Sequence, residues 1–289
     1  MQRLCAREIA EVVDRYALVI IAGDMSFQKF LILVGTGANG KSTILTIWRE
    51  LLGPDNVASV PLARFSAEFR LAEMIGKLAN IASDMNRVER LEEGLLKELS
   101  SGDAIQVNRK YKSPISVVPT AKLIFATNIL PPINDKSDGV WRRMIAMPFL
   151  QSFKEGDADP GRVERLREEL PGILNWAIDG ARRLLDQGGF SDCSLCQQYA
   201  DNHRYDSDPV KQFVADECEF GEVCVTPKHL YSEHRRWCLR NGRKPVASSE
   251  FARRVAELPD VTKSRPGSGN SRERVWSGIT LTTSLLRPD

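Results

Sequence analysis

The stretch Gly35-Thr36-Gly37-Ala38-Asn39-Gly40-Lys41-Ser42 constrains this chain more than any other. It follows an apolar run at 30–34 that predicts a buried strand, and it precedes residues 43–48, whose apolar spacing predicts a helix. Strand, G-x-x-x-x-G-K-S loop and helix together form the context that a phosphate-binding P-loop requires. The glycines let successive backbone N–H groups face one anion, and the helix N-terminus adds its dipole. The order therefore predicts a nucleoside triphosphate site.

Chemistry assigns roles within this loop. Lys41 is expected to reach the β- and γ-phosphates, and Ser42 is expected to ligate Mg²⁺. A chance match in a glycine-rich turn is the alternative, and the flanking strand and helix disfavour it. The predicted phosphate-binding residues are Gly35, Thr36, Gly37, Ala38, Asn39, Gly40, Lys41, Ser42 and Thr43.

Composition excludes several classes of protein. The 289 residues suffice for one large domain or two to three small ones, and 42% hydrophobic with 27% charged residues is ordinary for a globular protein. No apolar run approaches the roughly 20 residues of a membrane span, and the N-terminus does not resemble a signal peptide. The six cysteines are scattered, with one C-x-x-C pair at Cys193 and Cys196 that fits either a zinc site or, more simply, ordinary thiols.

Charge is unevenly distributed along the chain. Residues 225–289 contain 13 Lys and Arg against six Asp and Glu, a net charge of +7, whereas the whole chain carries only +2. A basic end on a slightly acidic body indicates a nucleic-acid contact surface, or a basic solvated surface without a ligand.

The order of apolar segments predicts an α/β fold with a mostly parallel sheet, followed by helices and a small third unit. Strands are expected near 30–34, 78–82, 107, 115–118 and 121–126, with helices at 4–17, 66–75, 91–99 and 164–187. A polar stretch at 188–208 reads as a linker. The third unit is predicted as helices at 210–217, 227–240 and 249–258, a short strand at 223–225 and a terminal hairpin, the order of a winged helix, with Thr226 and Ser249 as N-caps.

Two polar residues end predicted core strands. Asp84 follows the run at 78–82 and is placed where the Mg²⁺ complex of a P-loop protein needs an acid. Asn128 ends the run at 121–126 and is suited to orient water or sense the γ-phosphate. A helix or turn cap is the alternative for Asp84, and a plain turn for Asn128.

Basic residues cluster at three further places. Arg142 and Arg143 are candidates for stabilising phosphoryl charge in a neighbouring subunit, or are a surface pair. The tip with Arg109, Lys110 and Lys112 around Tyr111 suits contacts to single-stranded nucleic acid, or is a solvated hairpin. In the winged-helix candidate, the third helix carries Arg253 and Arg254, which suit a duplex groove, while protein binding or burial is the alternative. Its wing carries Lys263, Arg265, Arg272 and Arg274.

These motifs, in this order and spacing, resemble the superfamily 3 helicase domain of the phage and plasmid primase-helicases, related to the poxvirus primase-helicase. The C-terminal unit resembles the winged-helix end of that family. The matching segments are GANGKST at 37–43, GKLANIASD at 76–84, LKELSSGD at 96–103, RKYKSP at 109–114, KLIFATN at 122–128, GVWRR at 139–143 and ELPGILNWA at 169–177.

The resemblance implies an AAA+-type core that forms a ring, usually a hexamer, around single-stranded or forked DNA, and ATP-driven 3′-to-5′ translocation during phage or plasmid replication in the bacterial cytoplasm. It implies ATP and Mg²⁺ as cofactors. By position, Lys41 and Ser42 match the phosphate and metal residues, Asp84 the Walker B acid and second metal ligand, and Asn128 sensor 1. Arg143 best matches the arginine finger supplied in trans, and the loop at 109–112 matches the hairpin that tracks DNA.

The chain departs from the family pattern at two places. Asp84 is followed by Met85 and Asn86, where many members have an acidic pair. The helical collar and primase domain that usually precede the core have no counterpart beyond a predicted helix within 1–22, so we expect no primer synthesis and a separate primase as partner. We expect a core at 23–150, a helical lid at 151–205 and the winged helix at 206–289. A nucleotide-switched DNA-binding protein and an inactive fragment remain the alternatives.

Overall fold

The computed structural model describes residues 25–67, 69–83, 92–133, 138–153, 159, 161–264 and 274–282. The chain divides into two compact units, residues 1–203 and 204–289. Two buried apolar clusters lie in the first unit and a third lies in the second. The helix predicted at 4–17 falls outside the described residues.

A five-stranded parallel sheet forms the centre of the first unit. Its strands are β1 (Phe30–Val34), β2 (Val57–Ala58), β3 (Ala79–Ala82), β6 (Lys122–Thr127) and β7 (Met144–Pro148). Their spatial order is β2-β3-β6-β1-β7, and each neighbouring pair is parallel. Since both faces of a parallel sheet are covered, its central strands are apolar, and all five residues of β1 are buried. The predicted α/β class with a mostly parallel sheet is confirmed.

Between β3 and β6 the chain forms a separate antiparallel hairpin. Its strands are β4 (Ile105–Arg109) and β5 (Lys112–Val117), and Arg109 pairs with Lys112 across the turn. Tyr111 occupies the turn with φ 59°, a left-handed conformation that is uncommon for a residue with a side chain. The two predicted strand-like pieces are thus one hairpin with a two-stranded sheet of its own.

Helices surround the sheet, and two segments differ from prediction. The helix expected at 66–75 is a shorter 3-10 turn, Arg70–Met74. The segment expected as a linker at 188–208 is mostly helical, and the boundary between the two units falls within it, after residue 203. Its side chains Cys196 and Tyr199 pack on the core of the first unit. The helices are α1 (Lys41–Leu52), α2 (Glu93–Ser101), α3 (Asp138–Trp141), α4 (Arg162–Glu168), α5 (Leu170–Gln187) and α6 (Ser194–Asp206).

The described part of the second unit combines three helices with a three-stranded antiparallel sheet. Its elements are α7 (Pro209–Glu217), β8 (Cys218–Val225), α8 (Pro227–Arg240), α9 (Ser248–Val255), β9 (Thr262–Ser264) and β10 (Val275–Leu281). The strand order is β8-β10-β9. The Thr226 hydroxyl accepts a hydrogen bond from the His229 N–H at 3.3 Å, which confirms this N-cap. Ser249 is not a cap, because its helix begins one residue earlier, after Ala247.

None of the helices in the described ranges is both long enough and apolar enough to cross a membrane.

Candidate functional site

The loop between β1 and α1 is held tightly against the carboxyl ends of both neighbouring strands. The Gly35 N–H donates to the Thr127 carbonyl at 3.1 Å, and the Phe149 N–H donates to the Val34 carbonyl at 2.7 Å. A Cβ at Gly35 would lie 2.1 Å from Asn39 Nδ2 and 2.7 Å from the Phe149 carbonyl oxygen. Only glycine fits where the loop leaves the strand.

The loop curls because three of its residues adopt positive φ. Gly37 has φ 114°, Ala38 φ 45° and Gly40 φ 86°, so the backbone turns on itself before α1 begins at Lys41. Gly40 supplies no side chain to cap this helix. No side-chain cap therefore closes the N-terminus of α1, and a helix N-terminus of this kind is suited to bind an anion.

Lys41 is buried and is held by the loop itself. Its Nζ donates to the Gly35 carbonyl at 2.5 Å and to Asn39 Oδ1 at 2.8 Å, while Asn39 Nδ2 donates to the Phe149 carbonyl at 3.4 Å. A phosphate oxygen would join these neutral acceptors, and its negative charge would make it the stronger acceptor for the ammonium. Asn39 therefore ties the lysine to the end of β7 as well as to the loop.

The loop opens into a cavity of about 340 Å³, a size typical of small-ligand sites. The cavity brings together Lys41, Ser42 and Asn128, which are up to 87 residues apart in the sequence. Ser83, the residue after β3, also lines the cavity, and the next residue, Asp84, lies outside the described residues. The lining residues are Gly37, Ala38, Asn39, Gly40, Lys41, Ser42, Thr43, Ser83, Ala126, Thr127 and Asn128.

Thr127 is a site residue that the sequence motifs do not single out. Its buried Oγ1 donates to the Ile129 carbonyl at 2.7 Å and accepts from the Ile129 N–H at 3.3 Å. These bonds shape the turn that leaves Asn128 exposed at the cavity. The available sequence signal is a Thr that directly precedes the polar residue at a strand end, a common local turn device.

The arginine pair after α3 divides into one buried and one exposed residue. Arg143 donates to the Gly139 carbonyl at 3.0 Å and to Gln28 Oε1 at 3.1 Å, and its burial lowers its pKa. Arg142 is exposed. The geometry thus runs against the prediction that Arg143 reaches a neighbouring subunit, because its guanidinium is bound inside its own chain.

The hairpin tip lies outside the cavity lining and carries exposed charge. The Tyr111 side chain is 92% exposed, and Lys110 Nζ lies 5.2 Å from its ring centroid. Arg109 bends back and donates to the Ser113 carbonyl at 3.0 Å and 3.2 Å, whereas Lys112 is exposed. The tip presents an aromatic ring among cations.

Known proteins provide a comparison for this arrangement. Residues 33–143 match a family described as a family of unknown function, DUF5906. A protein of Acanthamoeba polyphaga mimivirus that bears the name "putative helicase" is 26% identical over 248 residues, covering 76% of this chain and 26% of that protein. A frog virus 3 protein with the same description is 25% identical over 150 residues, 48% of this chain and 15% of that protein. The chain thus spans about a quarter of the mimivirus protein it matches.

Solved structures share the fold. The apo structure of the NrS-1 C-terminal region has a TM-score of 0.56 and 11% identity, covering 94% of this chain and 71% of that one. Its A form has a TM-score of 0.54 and 10% identity, covering 97% and 76%. This chain is therefore similar in sequence to helicase-named viral proteins and similar in fold to the NrS-1 region.

The two arginines of α9 are engaged within the second unit. Arg254 is largely buried and pairs with Asp208 at 2.5 Å and Glu250 at 2.8 Å. Arg253 pairs with Glu250 at 2.9 Å and Glu257 at 2.5 Å. Neighbouring acids thus neutralise both arginines, and their contact with DNA stays a prediction. Arg265 lies outside the described residues.

Proposed function

We propose that this chain is the motor region of an ATP-dependent DNA helicase of the superfamily 3 type, which moves 3′ to 5′ as a ring, usually a hexamer, in phage or plasmid replication. One observation carries the proposal: the P-loop, the end of β3 and the end of β6 meet in one cavity, with Lys41 and Asn128 in its lining. The helicase names of the viral relatives support the same conclusion.

Nitrogen groups of the loop bind the triphosphate in this proposal, and side-chain oxygens beside it bind the metal. Lys41 binds the β- and γ-phosphates, and backbone N–H groups of the loop surround them. Mg²⁺ prefers hard oxygen ligands, which the Ser42 hydroxyl and the Asp84 carboxylate supply. The fit rests on the exposed Ser42 in the cavity lining and on Ser83, which brings the chain to the cavity directly before Asp84.

Asn128 completes the cavity with a neutral amide. An amide there can orient water or bind a γ-phosphate oxygen without placing a second negative charge beside the phosphates. A single acid, Asp84, then serves as metal ligand and polarises the attacking water.

The arginine supplied to a neighbouring subunit is Arg142 in this proposal. Arg142 is exposed, whereas Arg143 is bound to Gln28 and Gly139 of its own chain. A guanidinium that reaches the neighbour's γ-phosphate stabilises the transition-state charge. Arg143 holds the backbone that presents it.

DNA is contacted by the hairpin and by the second unit. The exposed Tyr111 stacks on a base while Lys110 and Lys112 bind phosphates. We assign the second unit as a winged helix from its order α7-β8-α8-α9-β9-β10. Within its described part, the exposed Lys228 and Arg235 have no acidic partner, and seven residues apart on α8 they share one face, so we place the DNA phosphates on α8.

ATP hydrolysis by the purified chain, with and without single-stranded DNA, tests the proposal. DNA-stimulated turnover is expected to disappear in Lys41→Ala and to persist in Lys77→Ala, a control that removes a lysine whose Nζ binds the Asp55 carbonyl. If the chain bound ATP and DNA but did not hydrolyse ATP, it would be a nucleotide-switched DNA-binding protein rather than a motor. Strand displacement on tailed duplexes then measures direction.

A further inference from the structure

The chain after β7 returns to the P-loop at a residue that the proposed mechanism does not use. The Phe153 N–H donates to the Ala38 carbonyl at 2.8 Å. The Phe153 ring is half-buried and belongs to none of the core clusters formed by the described residues. An aromatic side chain is thus fixed beside the phosphate loop without a packing role in the core.

A second flat group lies on this ring. The Arg162 guanidinium is 5.5 Å from the Phe153 ring centroid, within the range of a cation–π contact. Its helix, α4, is attached to the P-loop helix α1, because Arg167 pairs with Glu50 at 2.7 Å and its Nε lies 2.9 Å from both carboxylate oxygens. The position of Arg162 is therefore set from the same helix that begins at Lys41.

The sheet order places these two groups opposite the metal end of the cavity. β1 lies between β6 and β7. The cavity is lined by residues at the ends of β3 and β6, on one side of the loop, while Phe153 follows β7 on the other side. A triphosphate whose γ end faces Ser83 and Asn128 must direct its nucleoside away from them, toward β7 and α4.

We propose that Phe153 and Arg162 hold the nucleobase of the bound triphosphate by stacking. This rests on the proposed function, since it concerns the same P-loop. A ring and a guanidinium recognise the π-face that every base has, and they do not read the base edge. The larger purines stack over more area than pyrimidines, so ATP and GTP bind similarly and CTP binds more weakly.

Calorimetric binding of Mg²⁺ complexes of ATP, CTP and inorganic tripolyphosphate tests the inference. Phe153→Leu keeps an apolar side chain without the ring, and it is expected to weaken ATP binding about tenfold. Tripolyphosphate has no base, so its affinity is expected to stay unchanged. Phe153→Trp should retain ATP binding, Arg162→Ala should weaken it severalfold, and Phe69→Leu, at an exposed aromatic outside the cavity lining, should change nothing.

The outcomes separate the two proposals. Equal loss of ATP and tripolyphosphate in Phe153→Leu would show that the residue supports the loop backbone, and unchanged ATP binding would show that the base lies elsewhere. Either result overturns the stacking inference and leaves the P-loop assignment intact. Failure of the unmodified chain to bind either ligand would overturn both.

Discussion

Lys41 Nζ lies 2.8 Å from Asn39 Oδ1, and both residues are buried within the phosphate loop. The same asparagine reaches the Phe149 carbonyl through its Nδ2, so one side chain connects the lysine to the strand on the far side of β1. The lysine is thereby positioned before any phosphate binds. Binding therefore loses less conformational entropy, because the side chain is already ordered.

Replacing this asparagine should weaken nucleotide binding. A net hydrogen bond is worth about 1 kcal/mol, so Asn39→Ala is expected to reduce ATP affinity about fivefold, measured by calorimetry. Asn56→Ala is the matched control, because Asn56 Nδ2 binds the Leu52 carbonyl at the other end of α1. It should lower stability and leave ATP affinity unchanged; weakened ATP binding in both variants would point to helix α1 as a whole.

The two adjacent arginines should give opposite phenotypes. Arg143→Ala removes the hydrogen bonds that its buried guanidinium donates to Gln28 Oε1 and to the Gly139 carbonyl, and is expected to cost about 2–3 kcal/mol in chemical denaturation. Arg142→Ala should leave stability unchanged and abolish turnover. Mixing Arg142→Ala with Lys41→Ala chains should restore part of the activity, since mixed rings contain intact sites; no recovery would contradict a role in trans.

Replacing Tyr111 with glycine should preserve stability but weaken the response to DNA. Its φ of 59° costs a residue with a side chain about 1 kcal/mol, which glycine avoids, so Tyr111→Gly should retain or gain stability. Stimulation of ATP hydrolysis by single-stranded DNA should nevertheless fall, because the stacking ring is gone. Tyr111→Phe keeps the ring and should preserve stimulation. If single-stranded DNA stimulated ATP hydrolysis fully in Tyr111→Gly, Tyr111 would not contact the DNA.

His234 should make the second unit sensitive to acid. Burial first, and then Arg254, lower the pKa of His234 to about 4, although Asp208 opposes this shift. His234 in the unfolded chain therefore binds a proton near pH 6.5, whereas in the folded unit it binds this proton only near pH 4. The free energy of unfolding is therefore highest above about pH 6.5, and it decreases by at most about 3 kcal/mol as the pH falls from 6.5 to 4. Its ring contacts Phe213 and Phe251, so it is neutral in an aromatic core.

Hydrogen exchange in α8 and α9 at pH 7.5 and 5 measures this effect. Protection should decrease at pH 5 in the unmodified chain and in His229→Gln, which changes an exposed histidine. His234→Phe should lose most of the difference. If the difference persisted in His234→Phe, another group would carry the pH dependence.

Arginines of α8 and α9 should separate DNA binding from stability. Arg254→Gln breaks pairs with Asp208 and Glu250 and should destabilise the second unit. Arg235→Gln should leave stability unchanged, weaken duplex binding and reduce the salt dependence of affinity by about one ion. Fluorescence anisotropy across a salt series measures both. If Arg235→Gln bound duplex DNA normally while a folded Arg253→Gln bound it more weakly, α9 rather than α8 would contact the DNA.

Local signals in the amino-acid sequence determine much of this fold. The strand at 30–34, the glycine-rich loop and the helix from Lys41 are specified by residues adjacent in sequence, because backbone conformation and helix initiation depend on short windows. The same holds for the Thr226 cap and for the residues that close the strands near 82 and 127. β2 and β7 escape prediction, because β2 has only two residues and β7 ends in Pro148, a residue type that argues against a strand.

Tertiary structure decides which partner each side chain meets. Arg142 and Arg143 are the same residue type at adjacent positions, yet packing buries one and exposes the other. Arg254 finds Asp208 46 residues away, and the polar segment at 194–206 becomes a helix because the core accepts its few apolar side chains. Burial and ion pairing depend on groups brought together from distant positions, so a single sequence predicts the elements and the loop, whereas only the fold determines which charges remain free to act.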